Sequence, residues 1–187
     1  MGDEGRRRGP WTTVERERLY RNPWGALERH AVIRPDGSTG EHLFVDLPPA
    51  VGVLAVDGRD VLLVRQPRYG IGREVLEIVK GGRHDGEAPD AAARRELREE
   101  AGIDAKRLLP LGERVALPSI TNERATLYAA TGLKEIDVEP DHAEAIEVVR
   151  MPLDQALDQA LEGGIEDADT VVALTRYAFA IGILRIE

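Results

Sequence analysis

The stretch Gly81–Ile103, GGRHDGEAPDAAARRELREEAGI, constrains this chain more than any other. Residues three and four apart are neighbours on a helix, so at about 100° per residue Glu96, Glu99 and Glu100 fall within one narrow arc. Ala93, Leu97 and Ala101 make the adjoining apolar flank, and Arg94 and Arg98 point to water. Three carboxylates on one face repel each other and would destabilise an isolated helix. A hard divalent cation with oxygen ligands relieves that repulsion, and Mg²⁺ is the natural candidate. Such a cluster beside glycines points to metal-assisted chemistry on a phosphate ester or anhydride.

The helix also carries its own punctuation. Pro89 suits the first turn, Asp90 meets the positive end of the dipole, and Gly102 can adopt the left-handed stop. Lys80-Gly81-Gly82 reads as a bend whose carbonyls face the cluster. A solvated acidic face is the competing account of any charge run. The fixed order of residues argues against it here.

That order is Gly81, five residues, Glu87, seven residues, Arg95-Glu96-Leu97, one residue, Glu99-Glu100, one residue, then Gly102-Ile103. It resembles a complete Nudix box with every defining position filled. The resemblance implies an α/β/α sandwich around a mixed sheet, preceded by a small antiparallel β subdomain. It also implies hydrolysis of a nucleoside diphosphate linked to another moiety. The metal ligands it implies are Glu96, Glu99, Glu100 and a backbone carbonyl at Lys80, with Mg²⁺ bound and Mn²⁺ able to substitute. Glu99 and Arg95 join the catalytic set, Arg95 with Glu87 chiefly by pairing with the cluster and orienting it.

A chain of 187 residues with 42% hydrophobic content suits one globular domain with a small appendage. The net charge of -9 speaks against nucleic acid as a partner, which would need a basic face. With no cysteine, disulfides, thiolate zinc sites and cysteine nucleophiles are excluded, which fits a cytoplasmic protein. No apolar run approaches the roughly 20 residues of a membrane span. MGDEGRRRG lacks the hydrophobic region of a secretory signal.

Along the chain, 1–9 reads as a flexible lead-in and 10–48 as an N-terminal β subdomain. Its strands are Trp11–Tyr20, Ala26–Ile33 and His42–Leu47, too thin a set to bury a core alone. Pro48-Pro49 borders the hydrolase domain, 49–187. There Val51–Val56 and Val61–Gln66 form a hairpin around Asp57-Gly58, followed by a loop at Pro67–Gly72 and a strand at Glu74–Val79. Arg107–Leu117, Arg124–Ala130 and Glu144–Met151 are further strands, and Pro152–Leu161 and Asp167–Ile181 are helices.

Outside the box, Pro118, sixteen residues past Gly102, opens Pro-Ser-Ile-Thr-Asn-Glu-Arg, which resembles the ADP-ribose pyrophosphatase branch. Val64-Arg65-Gln66-x-Arg68 and Leu76-Glu77-Ile78-Val79 resemble it too. A plain strand terminator is the alternative for Pro118. The branch implies a homodimer whose N-terminal strands cross to the partner subunit. Lys80 departs from it, standing where a small alanine is usual, and a long cation there could alter the phosphate pocket.

Arg68 is the first choice to grip the diphosphate, because guanidinium matches phosphate oxygens as a fork. A surface loop arginine is the alternative. Trp24 either stacks on the base or packs in the core, and Phe44 carries the same ambiguity. Glu123 is a further candidate for substrate contact. The general base falls in Glu139-Pro140-Asp141-His142-Ala143-Glu144, with Glu144 first and Glu139 and His142 behind it. ADP-ribose, split to AMP and ribose 5-phosphate, is the expected substrate. GDP-mannose or a broad range of nucleotide sugars is the alternative, and a non-catalytic metabolite-binding regulator is the rival from another class.

Overall fold

A computed structural model describes residues 6–137 and 145–185, so Glu139, His142 and Glu144 lie outside the described residues. Contacts divide the chain into two units. One comprises Met1–Pro49 with Val115–Arg124, and the other Ala50–Arg114 with Ala125–Glu187.

The first unit holds a four-stranded sheet in the order β1-β2-β3-β4, formed by Arg6–Arg8, Trp11–Asn22, Gly25–Ile33 and Thr39–Asp46. The strand β1 pairs antiparallel with β2, where the sequence suggested a flexible lead-in. On β3 the alternation Ala26, Glu28, His30, Val32 puts two polar groups on the buried face. Glu28 is compensated there by Arg16 Nη2 at 2.6 Å, Arg18 Nη2 at 3.0 Å and His30 Nε2 at 2.9 Å. Burial pushes its carboxyl up, but the bonds from His30, Arg16 and Arg18 outweigh that and hold it at about 2. Phe44 is buried and stacks on His30, which answers its ambiguity in favour of packing.

The second unit is built on a mixed seven-stranded sheet. Its strands are β5 (Ala50–Asp57), β6 (Asp60–Arg68), β7 (Arg73–Glu77), β8 (Val79–Gly82), β9 (Ile103–Val115), β10 (Arg124–Glu135) and β11 (Glu147–Pro152). The order is β11-β6-β5-β10-β9, with β7 paired to β6 and β8 to β5. Of the described pairings, β5 with β10 is the parallel one. The central strand β5 is apolar on both faces, as a doubly covered strand must be. Val51, Val53 and Ala55 pack under Ala92, Ala93 and Leu97 of helix α1 (Pro89–Ala101). Leu54 and Val56 pack in the opposite layer with Leu157 of α2 (Leu153–Glu162) and Leu174 of α3 (Ala168–Ala180). The expected α/β/α sandwich is present.

Three local readings are corrected. Pro67–Gly72 is not an open loop: β6 runs through Arg68, which pairs with Arg73 across a 3-10 turn at Tyr69–Ile71. The strand expected at Glu74–Val79 is two strands, because Ile78 leaves the ladder and donates its amide to Thr170 Oγ1 on α3 at 2.8 Å. Lys80-Gly81-Gly82 is strand rather than bend, held by pairing with Val51 and Gly52 of β5.

Candidate active site

Helix α1 begins with Pro89, carries Asp90 in its first turn, and ends on Gly102 at φ 64°, the left-handed conformation that glycine adopts without steric cost. Packing Ala92, Ala93 and Leu97 on the sheet carries Glu96 inward beside β8, so this carboxylate is buried. Gly81 makes that approach possible. A Cβ on it would lie 2.2 Å from the Glu96 carboxyl, a distance no side chain tolerates. Burial pushes the Glu96 carboxyl up, and Arg95 offsets only part of this. Glu100 accepts the Lys80 backbone N–H at 3.3 Å. Glu99 lies one turn along the helix from Arg95 and remains half exposed.

Arg95 is the hub. Its Nη1 donates to Glu96 Oε1 at 2.7 Å and Glu99 Oε2 at 2.9 Å. Its Nε and Nη2 reach both oxygens of Glu87, and Nη2 also donates to the Gly82 carbonyl at 2.8 Å. Charge-assisted bonds of this kind are roughly twice as strong as neutral ones, so Arg95 ties the loop before α1 to the helix and to β8. Glu87 is held at about 2 by Arg95 and by the His84 amide. The Arg95 guanidinium is pushed up by the same partners, Glu87 first.

The structure therefore brings Glu96, Glu99, Arg95 and Glu87 together around one guanidinium, with Glu100 against the β8 backbone. Among the described residues, no three Asp, Glu, His or Cys side chains are gathered closely enough to hold a metal ion as they stand. The donor set nevertheless fits a hard divalent cation: carboxylate oxygens only, the buried one drawn close to β8 over Gly81. Glu96, a buried acid with a raised pKa, is a group that a bound cation would keep ionised.

Arg68 is not a free loop arginine. It sits at the end of β6 and grips buried Glu77, with Nε at 3.0 Å and Nη2 at 2.5 Å from Oε2. Burial lowers its pKa, but Glu77 more than offsets this and raises it. The Lys80 side chain turns to the same carboxylate, with Nζ 3.4 Å from Glu77 Oε1 and 2.5 Å from Asp167 Oδ1. Asp167 caps α3 by accepting the Thr170 amide at 3.0 Å and its hydroxyl at 2.7 Å. Burial pushes the Asp167 carboxyl up, but Lys80 and Thr170 pull it below its ordinary value. Sequence reasoning missed Glu77 and Asp167 as a pair. The available signal was the unusual lysine at position 80, which needs a counter-charge, and the cap pattern Asp167-x-x-Thr170.

Trp24 and Glu123 belong to the first unit rather than to the one carrying α1. Trp24 is 75% exposed, which argues against the core alternative. The Glu123 amide donates to Thr121 Oγ1 at 3.1 Å. Pro118 lies in a turn whose Ile120 and Thr121 amides bond the Leu117 carbonyl, and Val45 of β4 donates to Ile120. Among the described residues, no helix is long and apolar enough to cross a membrane.

Comparison with known proteins agrees with this geometry. Residues 46–174 match the NUDIX domain family, and residues 11–45 match the nucleoside diphosphate sugar hydrolase N-terminal domain. The chain is 31% identical over 165 residues to an ADP-ribose pyrophosphatase of Bacillus subtilis, covering 87% of this chain and 89% of that one. It is equally similar, over the same shares, to a methanol dehydrogenase activator of Bacillus methanolicus. An ADP-ribose pyrophosphatase of Mycobacterium tuberculosis is 30% identical over 166 residues, 87% of this chain and 80% of that one. A solved structure of an ADP compounds hydrolase superposes with a TM-score of 0.81 at 25% identity, covering 94% of this chain and 97% of the other. Nudix hydrolases generally depend on a divalent metal, in keeping with the oxygen-only donor set on α1. With the box spacing, the helix it builds and the match over most of its length all agreeing, the chain belongs to the Nudix hydrolase family.

Proposed function

We propose that this protein hydrolyses the diphosphate linkage of nucleoside diphosphate derivatives, with ADP-ribose, split to AMP and ribose 5-phosphate, as its main substrate. The observation that carries the reading is buried Glu96 set against Gly81, with Glu99 and Glu100 on the same helix. Similarity to two ADP-ribose pyrophosphatases supports the choice of substrate.

In this reading Glu96, Glu99, Glu100 and the Lys80 carbonyl would hold Mg²⁺, with Mn²⁺ able to replace it. When bound, such a cation supplies Lewis-acid polarisation of a phosphoryl group and makes water more acidic. Water adds to one phosphorus, its new P–O bond forming as the bond to the bridging oxygen breaks, and the bridging oxygen leaves on the other phosphate. The proton from water passes to a general base, for which Glu144 is the first candidate and Glu139 and His142 the next. Arg95 keeps Glu96 and Glu99 oriented through its bonds to both. Arg68 would exchange Glu77 for the diphosphate, a match of fork to anion. The exposure of Trp24 supports stacking on the adenine, a contact that contributes about 1–3 kcal/mol. Glu123 is a further candidate for contact with the substrate.

Apolar side chains exposed on the N-terminal sheet, among them Val14, Leu19, Tyr20 and Leu43, support a homodimer formed through this unit. The absence of cysteine suits a cytoplasmic enzyme. A wider range of nucleotide sugars is the second reading, favoured by the match of residues 11–45 to a nucleoside diphosphate sugar hydrolase domain. A hydrolysis panel with Mg²⁺ separates them. AMP release from ADP-ribose well above all other compounds supports the first, and GDP-mannose turned over as fast supports the second. No turnover of any nucleoside diphosphate derivative would defeat both.

A further inference from the structure

We infer that the Lys80 side chain is a positioning residue that releases Arg68 for an anionic ligand, by holding the charge of Glu77 and Asp167 when the arginine turns away. The inference rests on the proposed reading that a nucleoside diphosphate is bound.

Glu77 is buried and has two cationic neighbours, Arg68 on both of its oxygens and Lys80 on one of them. Arg68 Nη2 and Nε sit 2.5 and 3.0 Å from Oε2, and Nε is 3.2 Å from Oε1, the oxygen that Lys80 Nζ faces at 3.4 Å. The Lys80 ammonium also bonds Asp167 Oδ1 at 2.5 Å, so two cations balance two carboxylates. Arg68 is the more accessible cation, its side chain 38% exposed against 21% for Lys80. It is therefore the one placed to swing toward a ligand in solvent. A buried carboxylate left without a cation is strongly disfavoured, so Arg68 could not leave Glu77 unless another charge remained. Lys80 is that charge. Its position is fixed from two sides: β8 pairs with β5, and Asp167 is anchored by Thr170 on α3. Without the ammonium, Arg68 faces Glu77 and Asp167 as one cation against two anions, and the exchange to a diphosphate becomes costly.

The test compares Lys80→Met, Lys80→Arg, Glu77→Gln and the double variant K80M/E77Q in steady-state hydrolysis of ADP-ribose with Mg²⁺, alongside calorimetric binding of ADP. K80M should raise KM and the ADP dissociation constant about ten-fold, with a smaller loss in kcat, and K80R should restore most of it. In the E77Q background Arg68 has lost the carboxylate that it grips and Asp167 is the weaker competitor, so adding K80M should raise KM by no more than about two-fold. A merely structural lysine would lower kcat and the melting temperature by the same factor in both backgrounds, and that result overturns the inference. Should K80M not fold, E77Q alone decides: KM below wild type supports the exchange, and KM unchanged or raised overturns it. A wild-type protein that neither hydrolyses ADP-ribose nor binds ADP would overturn the proposed function as well, whereas an active wild type with an unaffected K80M would overturn only the role of Lys80.

Discussion

Replacing Gly81 by Ala tests whether the close approach of Glu96 to β8 matters for chemistry more than for stability. The added Cβ would sit 2.2 Å from Glu96 Cδ and Oε1 and 2.4 Å from Oε2. Since non-bonded carbons settle near 3.5–4.0 Å, the carboxyl must retreat by about 1 Å or more. The bond from Arg95 Nη1 at 2.7 Å is then lost. A hydrogen bond to a charged group contributes about 1.5–3 kcal/mol, but Arg95 keeps Glu87, Glu99 and the Gly82 carbonyl. Gly→Ala also stiffens the unfolded chain, which returns about 0.4–1 kcal/mol. The net loss should be about 1–2 kcal/mol, or a fall in melting temperature of about 2–8 °C for a chain this size. Catalysis should suffer more, because displacing a positioned group by 1 Å can cost about 10²-fold. Thermal melts and AMP release from ADP-ribose give the two numbers. Gly82→Ala is the control, since a Cβ there meets nothing within 4 Å, and it should lose much less. If G81A and G82A show equal kcat/KM, both near wild type, Glu96 has no role that depends on its place.

Glu99→Gln and Glu100→Gln should each lower kcat by orders of magnitude with little change in melting temperature; near wild-type turnover in both would remove the metal-ligand assignment. Glu28 gives a pH prediction. Its carboxyl is held at about 2 against an ordinary 4.5, so its stabilisation is complete above pH 4.5 and is lost as pH falls toward 2. The size is on the order of 3 kcal/mol, and Glu28→Gln should therefore flatten the acid limb of melting temperature against pH. An acid limb as steep as wild type would contradict the network around Glu28. Asp169, in the first turn of α3, accepts from both Nε and Nη2 of Arg114 on β9, and Asp169→Ala should cost about 1–3 kcal/mol, seen as a shifted urea midpoint. An unshifted midpoint would show that the pair contributes nothing net.

Much of the hydrolase unit was legible because its signals are local. The doubly apolar β5, the Asp57-Gly58 turn, and Pro89 and Gly102 at the two ends of α1 each announce an element without tertiary information. The split between β7 and β8 was not legible, because it depends on the Ile78 amide finding Thr170 across 92 positions of sequence. The polar face of β3 was hidden for the same reason: Glu28 looks like a solvated residue until Arg16, Arg18 and His30 are brought round it. At the site, spacing alone was enough to gather Glu96, Glu99 and Glu100 on one helix. It could not foretell that Arg95 bridges two of them, nor that Lys80 and Arg68 share Glu77. Those contacts depend on rotamers and on charges brought in from other strands.

The most direct test is AMP release from ADP-ribose by protein stripped with a chelator, then titrated with Mg²⁺. The account predicts no measurable release in the stripped protein and full, saturable recovery with added metal, abolished together by Glu96→Gln. Undiminished release without any divalent cation would contradict it.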